Sequence, residues 1–140
     1  MAFVKNLLAL LLIFSIVSSA IAATCNFNTQ NSISIADITN LGNDVATNSF
    51  NPPLDSPLGF KALSTHSVNL GTAQFCMRND FLFESTHIGL SDIQFGADDI
   101  VSQCCSNAPV CQGGLFTITG DGKITVDLFV QPIGDPCDIN

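Results

Sequence analysis

The sequence contains no tryptophan and no tyrosine, and only four of its 140 residues are lysine or arginine. Twelve residues are acidic, so the formal net charge is −8 at pH 7. A chain this acidic repels nucleic acids and anionic lipids, so we expect no nucleic-acid partner. Charged residues make up 11% of the chain and apolar ones 46%, which excludes an intrinsically disordered protein.

The sequence has a single long apolar run, Leu7 to Val17, near its amino terminus. Lys5 precedes this run and the small residues Ala20-Ile21-Ala22 follow it, a pattern typical of a secretory signal peptide. The run is too short for a membrane-spanning helix. We therefore predict a signal peptide over 1–22 and one secreted, extracellular domain over 23–140, without a transmembrane anchor.

Catalytic and metal-binding motifs are absent from the sequence. It has no Cys-x2-Cys pair, and His66 and His87 are far from the cysteine cluster, so we expect no zinc site. No serine lies in a G-x-S-x-G elbow, and the histidines lack a positioned nucleophile. Asp98-Asp99 and Gly120-Asp121-Gly122-Lys123 are better explained as a solvated helix face and a hairpin turn. We expect neither a cofactor nor enzymatic activity.

Cysteine, in contrast, is abundant: the sequence contains six, and all of them follow the predicted signal peptide. An even number of them in an exported chain predicts disulfide bonds, each contributing on the order of 2–4 kcal/mol. Cys104 and Cys105 are adjacent and would be strained if bonded to each other, so we expect them to bond to different, distant cysteines. The spacing leaves the pairing open. The six predicted half-cystines are Cys25, Cys76, Cys104, Cys105, Cys111 and Cys137.

Two segments have the apolar periodicity of amphipathic helices. The first covers about 35–46 and follows a candidate N-cap, Ser34. The second is "GLSDIQFGADDIVSQCC", in which Ser91 and Gln94 match a capping box. One face of this second helix is predicted to be formed by Leu90, Ile93, Ala97, Ile100 and Cys104.

Alternating apolar and polar residues predict antiparallel strands around these helices. "SVNLGTAQFCMRNDFLFE" fits a pair of strands or one bulged strand, with Cys76 facing away from Phe75. "GGLFTITGDGKITVDLFVQP" fits a hairpin, and the three prolines in 48–59 indicate an ordered loop. We therefore expect an α+β fold, a two-layer α/β sandwich with two helices on one face of an antiparallel sheet, stapled by disulfides.

Phenylalanine is the only aromatic residue type in the chain. Phe81, Phe83 and Phe129 fall at positions that strand alternation cannot all bury. If they are exposed, they mark a surface for a partner or a membrane interface. The simpler interpretation is that a second layer or the 48–59 loop covers them.

The order of these elements resembles a known family. A strand with a cysteine ("AQFCM"), a helix ending in cysteine ("LSDIQFGADDIVSQCC"), a short turn ("SNAP"), Gly-Gly and an apolar strand ("GKITVDLFV") resemble the fungal killer-toxin-like fold. That group includes the virally encoded killer toxin of smut fungi and the secreted necrosis-inducing-factor effectors. The segment "IADITNLGNDVA" is similar to the first helix of those effectors. The resemblance implies an α/β sandwich that is exported by a fungus.

Three functions are compatible with the sequence. The resemblance implies a small cysteine-rich effector or toxin, non-enzymatic, that acts on a host or competitor cell. Its partner would be an unknown protein or cell-surface target, and the protein itself a monomer or small oligomer. The Cys-Cys doublet and the apolar composition also fit a hydrophobin-like surface-active or structural cell-wall protein. The third function is an extracellular enzyme or, through the 48–59 loop, an inhibitor.

Overall fold

The computed structural model describes residues 22–26, 31–105 and 108–137. Apart from Ala22, the predicted signal peptide lies outside these ranges, as do the first two residues of the "SNAP" turn. The described ranges contain two α-helices, α1 (Ile35–Thr47) and α2 (Leu90–Cys104), and one 3-10 turn, Asp121–Lys123, between the last two strands. Their strands are β1 (Thr24–Cys25), β2 (Ile33–Ser34), β3 (Leu58–Phe60), β4 (Thr65–Leu70), β5 (Ala73–Arg78), β6 (Thr86–Ile88), β7 (Val110–Cys111), β8 (Gly114–Thr119) and β9 (Thr125–Pro132).

A five-stranded antiparallel sheet with the order β1-β8-β9-β5-β4 forms one layer. Phe75 of β5 lies opposite Val68 of β4 and Val130 of β9, so these three apolar side chains share the inner face. Cys76 lies opposite Phe129 on the outer face, as the alternation predicts. Two short antiparallel ladders, β2 with β7 and β3 with β6, complete the strand pairing.

Both helices pack on the inner face of this sheet. α1 contacts β4 and β5, α2 contacts β8 and β9, and the helices also contact each other. Gly96 allows α2 to approach the sheet, because a Cβ at this position would lie 2.7 Å from the Phe116 ring and 3.0 Å from Leu128. The predicted α+β sandwich, with two helices on one face of an antiparallel sheet, is confirmed.

The start of α1 is fixed by the turn between β4 and β5. Ser34 is the N-cap, as predicted, but its side chain makes no capping hydrogen bond. The backbone N–H of Ser34 donates to the hydroxyl of Thr72 at 2.8 Å. That hydroxyl donates to Asp37 at 2.7 Å, and the backbone N–H of Thr72 does so at 2.8 Å. These two hydrogen bonds hold the pKa of Asp37 below its usual value.

The predicted capping box of α2 is wrong. Gly89 is the N-cap, and its backbone N–H donates to the carboxylate of Asp92 at 3.3 Å. The helix therefore begins earlier than the Ser91 cap would place it. Gln94 is not a capping residue, because its side-chain amide donates to Asn43 of α1 at 2.8 Å.

The three disulfides are Cys25–Cys104, Cys76–Cys137 and Cys105–Cys111. The adjacent pair bonds to different cysteines, as predicted. A distant partner is correct for Cys104, 79 residues from Cys25, and wrong for Cys105, whose partner is 6 residues away. β7 pairs with β2 and so brings Cys111 back beside the end of α2.

Two helical glycines give a matched test of this packing. Gly96→Ala lowers the free energy of unfolding by about 1–3 kcal/mol, because the added methyl overlaps the buried ring of Phe116. Gly42→Ala raises it by about 0.5–1 kcal/mol, because its nearest neighbour would be 3.6 Å away and alanine favours the helix. Urea unfolding measures both values. Equal effects of the two substitutions would contradict this account of the packing.

Candidate functional site

The loop after β5 presents three consecutive apolar side chains to solvent. Phe81, Leu82 and Phe83 are 38%, 65% and 90% exposed. Leu63, from the loop between β3 and β4, is 61% exposed and lies beside them, since its backbone N–H donates to the Phe81 carbonyl at 3.1 Å. We call these four residues the apolar tip. Contiguous exposed apolar groups of this kind mark interaction surfaces.

Asn79 holds the two loops of the apolar tip together. Its side chain is fully buried, and its amide nitrogen donates to the carbonyls of Lys61 at 3.1 Å and Glu84 at 2.8 Å. Its amide oxygen accepts the backbone N–H of Phe81 at 3.1 Å. The backbone N–H of Asn79 donates to the carbonyl of Ser64 at 3.0 Å. A buried polar group without a hydrogen-bond partner destabilises the folded state. These bonds therefore fix the conformation of the tip.

The charges at the base of the apolar tip are balanced. Arg78 forms a salt bridge with Asp80, with a second contact of 2.7 Å between the guanidinium and the carboxylate. Lys61 and Glu84, whose backbone carbonyls both bind Asn79, add one charge of each sign. Two of the three basic residues that follow the predicted signal peptide therefore lie at this base.

The helices, in contrast, carry charges of one sign. Neither α1 nor α2 contains a lysine or arginine. Their carboxylates give the helical layer a uniformly acidic character, and the acidic residues are Asp37, Asp44, Asp92, Asp98 and Asp99.

The structure does not bring the three predicted surface phenylalanines together. Phe129 is half-buried in the middle of β9, opposite Cys76 and Leu115 on the outer face of the sheet. It borders a groove that is lined by Thr24 and Leu115. The interpretation that the 48–59 loop or a second layer covers these residues is wrong for Phe83, which is 90% exposed.

Sequence reasoning did not find Leu63, Leu82 or Asn79. The available signal was the triplet Phe-Leu-Phe at 81–83, which breaks the alternation of a strand and is flanked by Asp80 and Glu84. No local pattern connects Leu63 or Lys61 with this triplet, because they belong to another loop.

His87 and Asp121 form a pair that the sequence does not reveal. One carboxylate oxygen of Asp121 lies 3.0 Å from Nδ1 of His87, and the other accepts the backbone N–H of His87 at 2.7 Å and the Thr86 hydroxyl at 2.9 Å. The backbone and side-chain bonds from His87, followed by the bond from Thr86, hold the pKa of Asp121 below its usual value. The Thr86 hydroxyl donates to Asp121, so these groups anchor the β8–β9 turn on β6.

The remaining candidates lie apart from one another. His66 of β4 packs edge-on against the Phe60 ring, with the centroids 4.9 Å apart. Asp98 is exposed on α2, and Asp99 accepts a hydrogen bond from Gln103. Within the described ranges, no group of three histidine, cysteine or acidic residues could hold a metal ion. The same part of the chain contains no helix that is long and apolar enough to span a bilayer.

The clamp on the apolar tip predicts a large effect of Asn79→Ala. This substitution leaves the carbonyls of Lys61 and Glu84 without their donor and lowers the free energy of unfolding by about 2 kcal/mol or more. Asn69→Ala, at an exposed position of β4, is the control and changes it by less than about 0.5 kcal/mol. Denaturant titration measures both. If the two variants were equally stable, Asn79 would not be the residue that fixes the tip.

The Asp121 contacts predict a stability change in acid. Because the pKa of Asp121 is lowered from 3.8 in the folded protein, its stabilising effect is complete above this pH and is lost as the pH falls through the folded-state pKa. Unfolding followed from neutral to strongly acidic pH therefore shows a smaller loss of stability for Asp121→Asn than for the wild type. Parallel curves would exclude this role, and NMR titration of the carboxyl carbon reports the pKa directly.

Comparison with known proteins provides no relative for this chain. No family model matches it, and neither does any curated protein or solved structure. The resemblance to the fungal killer-toxin-like fold therefore stays a prediction that depends on the order of the elements.

Proposed function

We propose that this chain is a secreted, non-enzymatic effector or killer-toxin-like protein that binds a component of the surface of a host or competitor cell through its apolar tip. The observation that carries this proposal is the 90% exposure of Phe83 on a loop held by buried Asn79. Burying a phenylalanine side chain contributes about 1.5–3 kcal/mol. A loop already held in one conformation also loses little conformational entropy on binding.

The disulfides support an extracellular site of action. All six cysteines are paired, and disulfides persist in oxidising compartments outside the cytosol. Two of the bonds join residues that are 79 and 61 positions apart, which restricts the unfolded chain most strongly. A small domain that must remain folded outside the cell benefits from such bonds. The predicted signal peptide supports the same conclusion.

The order of the elements supports the effector or toxin part of the proposal, with a fungus as the producing organism. The contacts of His87 and Asp121 support a structural role for this pair. The carboxylate of Asp121 is occupied by the backbone of His87 and by the Thr86 hydroxyl, and it anchors a turn. The side chains of the apolar tip, in contrast, make no such internal anchor and are accessible to a partner, with Phe83 90% exposed.

The proposal is tested by cell binding of oxidised protein recovered from the medium of an expressing host. Labelled wild type, Phe83→Ser and Phe95→Ser are added to fungal, bacterial and plant cells, and bound protein, growth and membrane permeability are measured. Phe95 is the matched control because it is another exposed phenylalanine, 64% exposed, on α2. We expect Phe83→Ser to reduce the affinity for one cell type about tenfold or more, and Phe95→Ser to retain it.

Two results would contradict the proposal. One is the absence of binding to any of the three cell types, and the other is an equal loss of affinity in both variants. The hydrophobin-like alternative predicts instead that the protein lowers the surface tension of water, and unchanged surface tension would exclude it.

A further inference from the structure

We propose that the apolar tip is a lipid-insertion loop, and that the surface it enters is a zwitterionic bilayer. This inference rests on the proposed function and names the component of the target cell surface that the tip contacts. Three features of the tip favour a lipid surface: its backbone hydrogen bonds, its side-chain chemistry and the charges at its base.

Three backbone groups of the loop that carries the apolar tip have hydrogen-bond partners within the protein. Peptide groups that enter the region of the acyl chains need partners within the protein. The Phe81 N–H is bound by the Asn79 side chain, and the Phe81 carbonyl by the N–H of Leu63. The carbonyl of Glu84, at the end of the loop, is bound by the same side chain of Asn79. These groups therefore do not lose hydrogen bonds to water when the tip enters the bilayer.

The side chains of the apolar tip favour lipid over a protein partner. The strongest anchors of protein interfaces are tryptophan, tyrosine and arginine, which combine apolar area with directional hydrogen bonds, whereas leucine is under-represented. The tip has two phenylalanines and two leucines and offers no side-chain donor or acceptor. Groups of this kind gain free energy from any apolar surroundings, including the boundary between headgroups and acyl chains.

The charges select among lipid surfaces. Lys61, Arg78, Asp80 and Glu84 sum to zero at the base of the tip, so a neutral surface meets no net charge there. The chain as a whole is strongly acidic, with twelve acidic residues against four basic ones. A leaflet rich in anionic lipid therefore repels the molecule, whereas a zwitterionic leaflet does not.

The absence of tryptophan allows a direct test. Phe83→Trp introduces a single fluorophore at the tip, and Phe95→Trp introduces one at the control position on α2. With phosphatidylcholine vesicles, we expect the emission of the Phe83→Trp protein to shift to the blue and that of the Phe95→Trp protein to stay unchanged. With an equal mixture of phosphatidylcholine and phosphatidylserine, we expect about tenfold weaker binding at low salt, which recovers as salt is added.

The wild-type protein provides a readout without a probe. It should sediment with phosphatidylcholine vesicles, and Phe83→Ser should reduce this partitioning about tenfold, while Phe95→Ser should not. Leu82→Trp is a second reporter within the tip, at a position that is 65% exposed, and should also shift to the blue. Unchanged emission from both tip reporters, together with no sedimentation, would overturn the inference.

Failure of the lipid inference can be distinguished from failure of the proposed function. Cell binding that needs Phe83 and is removed by treating the cells with protease, without binding to vesicles, indicates a protein target and overturns the lipid inference alone. A blue shift that grows with protein concentration in the absence of vesicles indicates a second copy of the chain on the tip, and it also overturns the inference. If the wild-type protein binds neither vesicles nor cells, the proposed function is rejected as well.

Discussion

The buried side-chain amide of Asn79 is the contact on which the apolar tip depends. It lies directly after β5 and binds backbone groups of both loops that form the tip. A buried amide in an apolar surrounding is stable only when its donor and acceptor atoms have partners. The same hydrogen bonds therefore satisfy Asn79 and define where the phenylalanines and leucines of the tip lie.

The sandwich provides the rigid support for this amide. β5 lies between β4 and β9, and its inner-face residues Ala73, Phe75 and Met77 are fully buried beneath the helices. On the outer face, Cys76 is bonded to Cys137. Because β5 is paired on both edges and constrained on both faces, the residue that follows it, Asn79, has a well-defined position. The hydrophobic core is formed by other residues and contains none of the four side chains of the tip, so these can be exposed.

The charge distribution separates the molecule into parts with different surface properties. The helical layer is uniformly acidic, whereas the base of the tip contains opposite charges in equal number. An acidic surface maintains solubility and disfavours contact with anionic partners. In the proposed function, this leaves the apolar tip as the part of the protein from which binding free energy is obtained.

The sequence alone determined the parts that depend on short-range periodicity. The two helices, the hairpin of β8 and β9, and the opposite facing of Phe75 and Cys76 all follow from spacings of two to four residues. The α+β class followed from the order of these elements. Tertiary structure alone decided the contacts that the sequence pattern does not indicate: Cys105 with Cys111 through the pairing of β7 with β2, His87 with Asp121, and Leu63 beside Phe81. Such contacts arise only when packing brings separate loops together, and no local pattern in the chain records which loops will meet.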